Sequence, residues 1–440
     1  MRIPIESYRL SNGLVVTLSE DHTAPIVAVN LWYRVGSANE RVGRTGFAHL
    51  FEHMLFQGSE HVAANEHFEL IQRAGGTLNG STWLDRTNYY ETVPSNELAL
   101  ALWLEADRMG ALLPAMTQQK LDTQRDVVKN ERRWSMDNQP YGTWSERLPA
   151  LTYPPSHPFH HSLIGSMEDL SAASLEDVAN FFSTYYRPNN AVLSIAGDFD
   201  AHEARTLVDR YFGDIPRGAP GAIPPLGEMG LPPTFGETRR EVVPDMVMVP
   251  RLFLAFRAPV FGTDEYYAGS VLGAILGMGK ASRLQRELVR EREIASEATA
   301  FTFDLTQGAD LLVIDATARP EVSSDTLEEE VAREVDVLQR DGVTAAEVER
   351  AVALVETSFV TSLQSAGERA DKLSMFAAMF DDPRLLNEQT DRYAAVTVAR
   401  VNAFARERLG TNNRASLLYV PDDGDEGLRD EAEAATGATR

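Results

Sequence analysis

Cysteine is absent from all 440 residues. Disulfides and thiolate metal sites are therefore excluded, and any metal must be held by His, Asp or Glu. Long apolar runs are missing too. Stretches such as Val247 to Phe256 are interrupted and fall short of the roughly 20 residues that a membrane-spanning helix needs, so no membrane partner is expected. The opening MRIPIESYRL has no positively charged start leading into an apolar run. No secretory signal is expected, and a cytoplasmic location follows by default. Positive charge is scarce: 41 Lys and Arg stand against 65 Asp and Glu, a formal charge of −24. Such a surface repels phosphates, which argues against a nucleic-acid partner.

Hydrophobic residues make up 43% of the chain, enough for sizeable cores, and the length exceeds one ordinary core. Near the centre, Pro216 to Pro233 reads PRGAPGAIPPLGEMGLPP. Proline removes backbone donors and glycine loosens the chain, so this is a linker. Its two sides look related. Val27, Val29, Leu31, Tyr33 and Val35 alternate with small or polar residues as in a strand, and Val247 to Phe256 is a more continuously apolar run. Each half closes on a helical pattern, an Asn-Asn turn and a strand: Val178, Phe181 and Phe182 before RPNNAVLSIAGD, and Val401, Phe404 and Leu409 before GTNNRASLLYVPDD. Helical patterns dominate between, as in Glu97 to Ala111 and Leu327 to Leu338. The pattern predicts an α+β fold of two homologous domains of about 200 residues, each an antiparallel-rich sheet covered by helices. The expected bounds are 1–215 and 237–440, joined by a linker over 216–236. The acidic, small-residue stretch after Pro421 is expected to be frayed or disordered.

The segment GRTGFAHLFEHMLFQGSE (Gly43 to Glu60) carries the chemistry. Phe47, Leu50, Met54 and Leu55 mark the core side of a helix beginning after Gly46. On it His49 and His53 are four apart, so their rings point the same way, and Glu52 is adjacent to that face. Two imidazoles can share one zinc ion, and a neighbouring carboxylate can take a proton from water; this is the H-x-x-E-H arrangement of the inverted zincins. A third protein ligand, commonly His or a carboxylate, is required. Five residues alone do not decide the matter, because two histidines one turn apart also occur on ordinary helices.

More sequence does. GGTLNGSTWLDRTNYYETVP (Gly75 to Pro94), QRDVVKNERR (Gln124 to Arg133), the opening SNGLVVTL, HPFHHSLIGSMEDL and RPNNAVLSIAGD join the helix motif along nearly the whole chain. Together they resemble the pitrilysin/insulinase family of metallopeptidases, in particular its branch of short subunits that includes the mitochondrial processing peptidase. The resemblance implies a zinc-dependent endopeptidase with one Zn2+ per chain. His49, His53 and Glu131 would be ligands and Glu52 the general base. Glu131 lies 78 residues after His53, close to the family's spacing. The family's acidic residue seven positions earlier is Gln124 here.

The family also implies that Thr77 to Ser81 is an exposed sheet edge on which a peptide docks as an extra strand, with Asn79 and Gly80 at the substrate. Read without the family, Asn79-Gly80 is a hairpin turn. Trp83, Tyr89 and Tyr90 are expected in the core. His61, His67, His157, His160 and His161 show no second metal pattern, and those at 157, 160 and 161 fall in a Pro-rich loop. In the second half the family places an Arg and, seven residues on, a Tyr that reach the substrate and the oxyanion. This chain has Val289 and Ser296 there. A shifted register could recruit Arg290 or Arg292, but the second half holds only Tyr266, Tyr267, Tyr393 and Tyr419. The expected partner is a homologous subunit without zinc that carries the Arg/Tyr pair, in a heterodimer. A presequence-processing peptidase is the alternative within the class. A non-catalytic scaffold subunit is the alternative outside it.

Overall fold

A computed structural model describes residues 2–422; the acidic stretch beyond lies outside the described residues. The strands are β1 (Glu6–Arg9), β2 (Val15–Glu20), β3 (Ile26–Tyr33), β4 (Thr77–Thr82), β5 (Thr87–Pro94), β6 (Ala191–Gly197), β7 (Arg239–Asp245), β8 (Arg251–Ala258), β9 (Ala295–Thr302), β10 (Asp310–Ala318) and β11 (Ala415–Pro421). They form one sheet in the order β1-β2-β6-β3-β5-β4 and another in the order β7-β11-β8-β10-β9. Without β1, the two orders are the same permutation. In each sheet the last strand returns parallel to the first, β6 on β2 and β11 on β7, while the remaining pairs are antiparallel. This shared topology is what an internal duplication produces. Of the apolar run Val247 to Phe256, only the part from Arg251 onward is strand, the start of β8, and the residues before it connect β7 to β8.

Two compact units result. One takes residues 2–133, 155–229 and 356–394; the other takes 134–154, 230–355 and 395–422. Each therefore includes a piece from beyond the Pro/Gly-rich stretch, within which no helix or strand forms. The reason is packing. The helix Ala366–Phe380 lies on the first sheet, where Asp371 Oδ1 accepts from Trp32 Nε1 at 2.8 Å, Asn88 Nδ2 at 2.9 Å and Asn30 Nδ2 at 3.2 Å. The helix Trp144–Thr152 belongs to the second sheet, where the Trp144 ring stacks on Phe253 at 4.9 Å. Among the described residues, no helix is long and apolar enough to cross a membrane.

Strand character follows position. β6 and nearly all of β3 are buried, so their side chains are apolar on both faces apart from Ser194 and Asn30. β4 ends its sheet, and its sequence TLNGST is polar and half-exposed, as suits an edge. The hairpin between β4 and β5 turns at Trp83–Arg86, closed by Trp83 N donating to Arg86 O at 2.8 Å. Asn79 and Gly80 thus lie inside the strand, and the turn reading does not hold.

Candidate metal centre

Helix α1 (Phe47–Met54) buries Phe47, Leu50, Phe51 and Met54, the stripe expected of a helix seated on a sheet. Its start is set by glycine. Gly46 has φ +81°, and a Cβ there would lie 2.4 Å from Ile164 O. Gly46 can offer no side-chain cap. The buried carboxylate of Glu40 does so from outside, accepting from Gly46 N at 2.9 Å and Ala48 N at 2.7 Å. Thr45 is clamped in turn by Asp169, which accepts from its N at 2.9 Å and its Oγ1 at 2.6 Å.

Helices α2 (Glu66–Arg73) and α3 (Leu98–Ala111) follow in the chain, and then α4 (Gln118–Arg132) packs against α1. Leu121, Gln124 and Val128 are its buried face, and Glu131 continues that row one turn on. Arg132 Nη1 donates to Gly165 O at 3.0 Å and Arg125 Nη1 to Ala173 O at 3.0 Å. The segment that steadies the start of α1 therefore also holds α4, and so fixes both helices relative to each other.

The result is a convergence. His49 Nε2 is 3.5 Å from Glu131 Oε1, and His53 Nε2 is 3.2 Å from Glu131 Oε2. The two rings are 4.8 Å apart at 75°. One candidate ligand atom from each residue falls within 4.8 Å of the others. Burial, and then the neighbouring His53, push the His49 imidazole down to about 4, leaving it neutral with a lone pair to share. The hydrogen bond from His53 holds the Glu131 carboxyl below its usual range, against the effect of burial. Two imidazole nitrogens and a carboxylate are the donor set of a catalytic zinc site, so these residues fit that ion. His49 Nδ1 is buried without a hydrogen-bond partner, so packing orients that ring.

Glu52 lies beside the cluster and outside it. Burial raises its carboxyl, and a hydrogen bond from Thr82 Oγ1 to its Oε2, 2.6 Å, opposes the rise. The carboxylate lies over β4, where a Cβ at Gly80 would come within 3.1 Å of its Oε1. Asn79 is exposed, and its Oδ1 accepts from Gly80 N at 2.9 Å. Tyr89 is a core residue, as expected, whereas Trp83 and Tyr90 are only half-buried.

A second group meets the same geometric test and was not anticipated: His67, Glu91 and Glu105, all buried, lie within 4.8 Å of one another. The guanidinium of Arg108 stands among them, with Nε donating to Glu105 Oε2 at 2.9 Å and Nη2 3.7 Å from Glu91 Oε1. Spacing offered no signal for it, because its members come from α2, β5 and α3. Of the other histidines, His61 is exposed beside Asp107, and His157 packs its loop by accepting from Phe159 N at 3.1 Å.

In the second unit, Val289 is half-buried and exposed Ser296 turns its hydroxyl to Thr317 O at 3.2 Å. Arg292 is engaged with Glu330 and Glu334, each at 2.5 Å, while Arg290 is exposed. Tyr266, Tyr267, Tyr393 and Tyr419 are all buried.

Residues 15–156 match the model of the insulinase family, peptidase family M16, and residues 172–355 match that of the peptidase M16 inactive domain. The latter range contains none of His49, Glu52, His53 and Glu131. Among relatives, zinc protease PqqE of Helicobacter pylori is 31% identical over 94% of this chain and 93% of its own length. The uncharacterized zinc protease YmxG of Bacillus subtilis is 26% identical over 95% of this chain and 98% of its own. The crystal structure of a protease from Helicobacter pylori superposes with a TM-score of 0.89 at 28% identity, covering 96% of this chain and all (100%) of that one.

Proposed function

Because the chain belongs to the insulinase family of peptidases, family M16, we propose that it is a zinc metalloendopeptidase in which His49, His53 and Glu131 hold one zinc ion and Glu52 is the general base. The observation that carries this reading is the meeting of three ligand atoms from α1 and α4 within 4.8 Å, with the Glu52 carboxylate alongside. Zinc, when bound, supplies Lewis acidity that brings the pKa of water to about 7 and polarises a peptide carbonyl. Glu52 accepts the proton of the attacking water and passes it to the leaving amine. Its burial suits both halves of that exchange, since a raised carboxyl holds a proton more readily. An extended peptide pairs with the free edge of β4 at Asn79 and Gly80, through backbone bonds that are largely blind to sequence.

Charge on the tetrahedral intermediate must also be met. With Val289 and Ser296 at the family's Arg and Tyr positions, Arg292 committed to two glutamates and the second-half tyrosines buried, a homologous subunit without zinc supplies that pair in a heterodimer. Short or unfolded peptides are the substrate class. Zinc content and cleavage of a quenched fluorescent peptide, measured for the chain alone and with its nearest paralogue, test the reading. One zinc per chain and turnover only in the mixture are expected. Glu52→Gln should keep the metal and lower kcat by roughly 10²–10⁴-fold. Full activity of the chain alone would remove the heterodimer, and absence of stoichiometric zinc would leave a scaffold subunit.

A further inference from the structure

β4 does two things at once for the carboxylate above it. Its residues alternate, so Leu78, Gly80 and Thr82 share one face. Gly80 leaves room: a Cβ there would meet both Glu52 Cγ and Oε1 at 3.1 Å, and Phe56 Cε2 at 3.2 Å. Two residues on, Thr82 Oγ1 donates to Glu52 Oε2 at 2.6 Å, and among the described residues no other hydrogen bond holds that carboxylate. Thr82 is well placed to act as a fixed point. It is β-branched and hence restricted at χ1, and it pairs across the ladder with Thr87, whose own hydroxyl is anchored to Val35 O at 2.8 Å.

We propose that Thr82 is a positioning residue: its hydroxyl holds one oxygen of Glu52 against β4 and leaves the other to face the reacting water. This rests on the reading of Glu52 as general base. The strand on which the peptide lies is then the strand that sets the base, so the register of the scissile bond and the position of the carboxylate are fixed within Gly80–Thr82. Removing the hydroxyl should leave peptide pairing intact while the base loses its alignment.

Thr82→Val keeps the shape and strand preference of the side chain without the donor, and Thr82→Ser keeps the donor. Kinetics are measured in the form of the enzyme that turns over, together with zinc content and crystal structures of the zinc-loaded variants. For Thr82→Val, kcat should fall about 10- to 100-fold, with KM within about twofold of wild type and unchanged zinc. Thr82→Ser should recover most of the rate. In the Thr82→Val crystal the Glu52 carboxylate should no longer lie in one place over Gly80. Wild-type kcat in Thr82→Val, equal losses in Val and Ser variants, loss of zinc, or an unmoved Glu52 in the crystal would each overturn the proposal. Failure of the underlying reading looks different: Glu52→Gln would then cleave as fast as wild type, and the crystal alone would decide whether Thr82 holds the carboxylate.

Discussion

His49, His53 and Glu131 come together within 4.8 Å, and so do His67, Glu91 and Glu105, in the same unit of the molecule. Both are built from His and Glu within the same distance, two histidines and one glutamate in the first group and one histidine and two glutamates in the second. They differ in what already stands inside them. In the second, Arg108 binds Glu105 with two donors, and its guanidinium lies 4.2 Å over the Tyr89 ring and 5.2 Å over Phe56. The fold has supplied the cation. Burial, followed by repulsion from Arg108, pushes His67 down to about 3, so the imidazole adds no charge. Two carboxylates then share one guanidinium, and burial raises Glu91 and takes Glu105 up to about 8, so the group keeps a proton near neutral pH. The first group retains access to solvent, with side-chain exposures of 11% for His49, 22% for His53 and 38% for Glu131. A ligand set becomes a metal site when it is reachable and when the fold has not already neutralised it. Convergence alone is insufficient.

Substitutions in the two groups should therefore part company. The largest contrast is expected in bound metal. His49→Ala should abolish stoichiometric zinc and turnover, whereas His67→Asn should leave one zinc per chain; metal analysis of the purified variants reads the difference, and equal zinc loss in both would erase the distinction. Next comes stability. Arg108→Met strands two buried carboxylates and should lower unfolding free energy by about 3–5 kcal/mol in denaturant titration. Glu131→Gln, at a half-exposed position, should cost far less in the zinc-free protein. A mild effect of Arg108→Met would mean that water reaches the inner group.

The smallest effect is a pH slope. Burial pushes the Glu105 carboxyl from its ordinary 4.5 up to about 8, so between those values the folded state binds more protons than the unfolded one. Stability then falls as pH rises through that window. Glu105→Gln should flatten the decline in thermal unfolding between pH 5 and 8, and an unchanged slope would assign the proton elsewhere.

Legibility in the sequence followed distance along the chain. The α1 motif was readable because His49, Glu52 and His53 lie within two turns, and helix geometry fixes how they face. The strands β3, β6, β8 and β11 were visible through their apolar patterns, and the paired helix–turn–strand endings foreshadowed the common sheet order. Glu131 was reached through resemblance alone. Without the resemblance Asn79-Gly80 reads as a turn, because local chemistry cannot tell a hairpin tip from a polar edge strand when the true turn lies at Trp83–Arg86. The cap from Glu40, the brace from Asp169 and the hold of Arg132 on Gly165 left no local trace, since each joins a side chain to a backbone group elsewhere in the chain.

The sequence by itself determined which side chains can share a helical face and that any metal must rest on nitrogen and oxygen donors. Tertiary structure decided the rest. It brought α4 to α1 so that Glu131 meets the two imidazoles, and laid Glu52 across Gly80 within reach of Thr82. It placed Arg108 among the inner glutamates, and assigned the helices Trp144–Thr152 and Ala366–Phe380 to sheets on the far side of the Pro/Gly-rich stretch. The physical reason is that periodicity constrains neighbours along the chain, whereas burial, charge balance and edge exposure depend on which distant segments pack together.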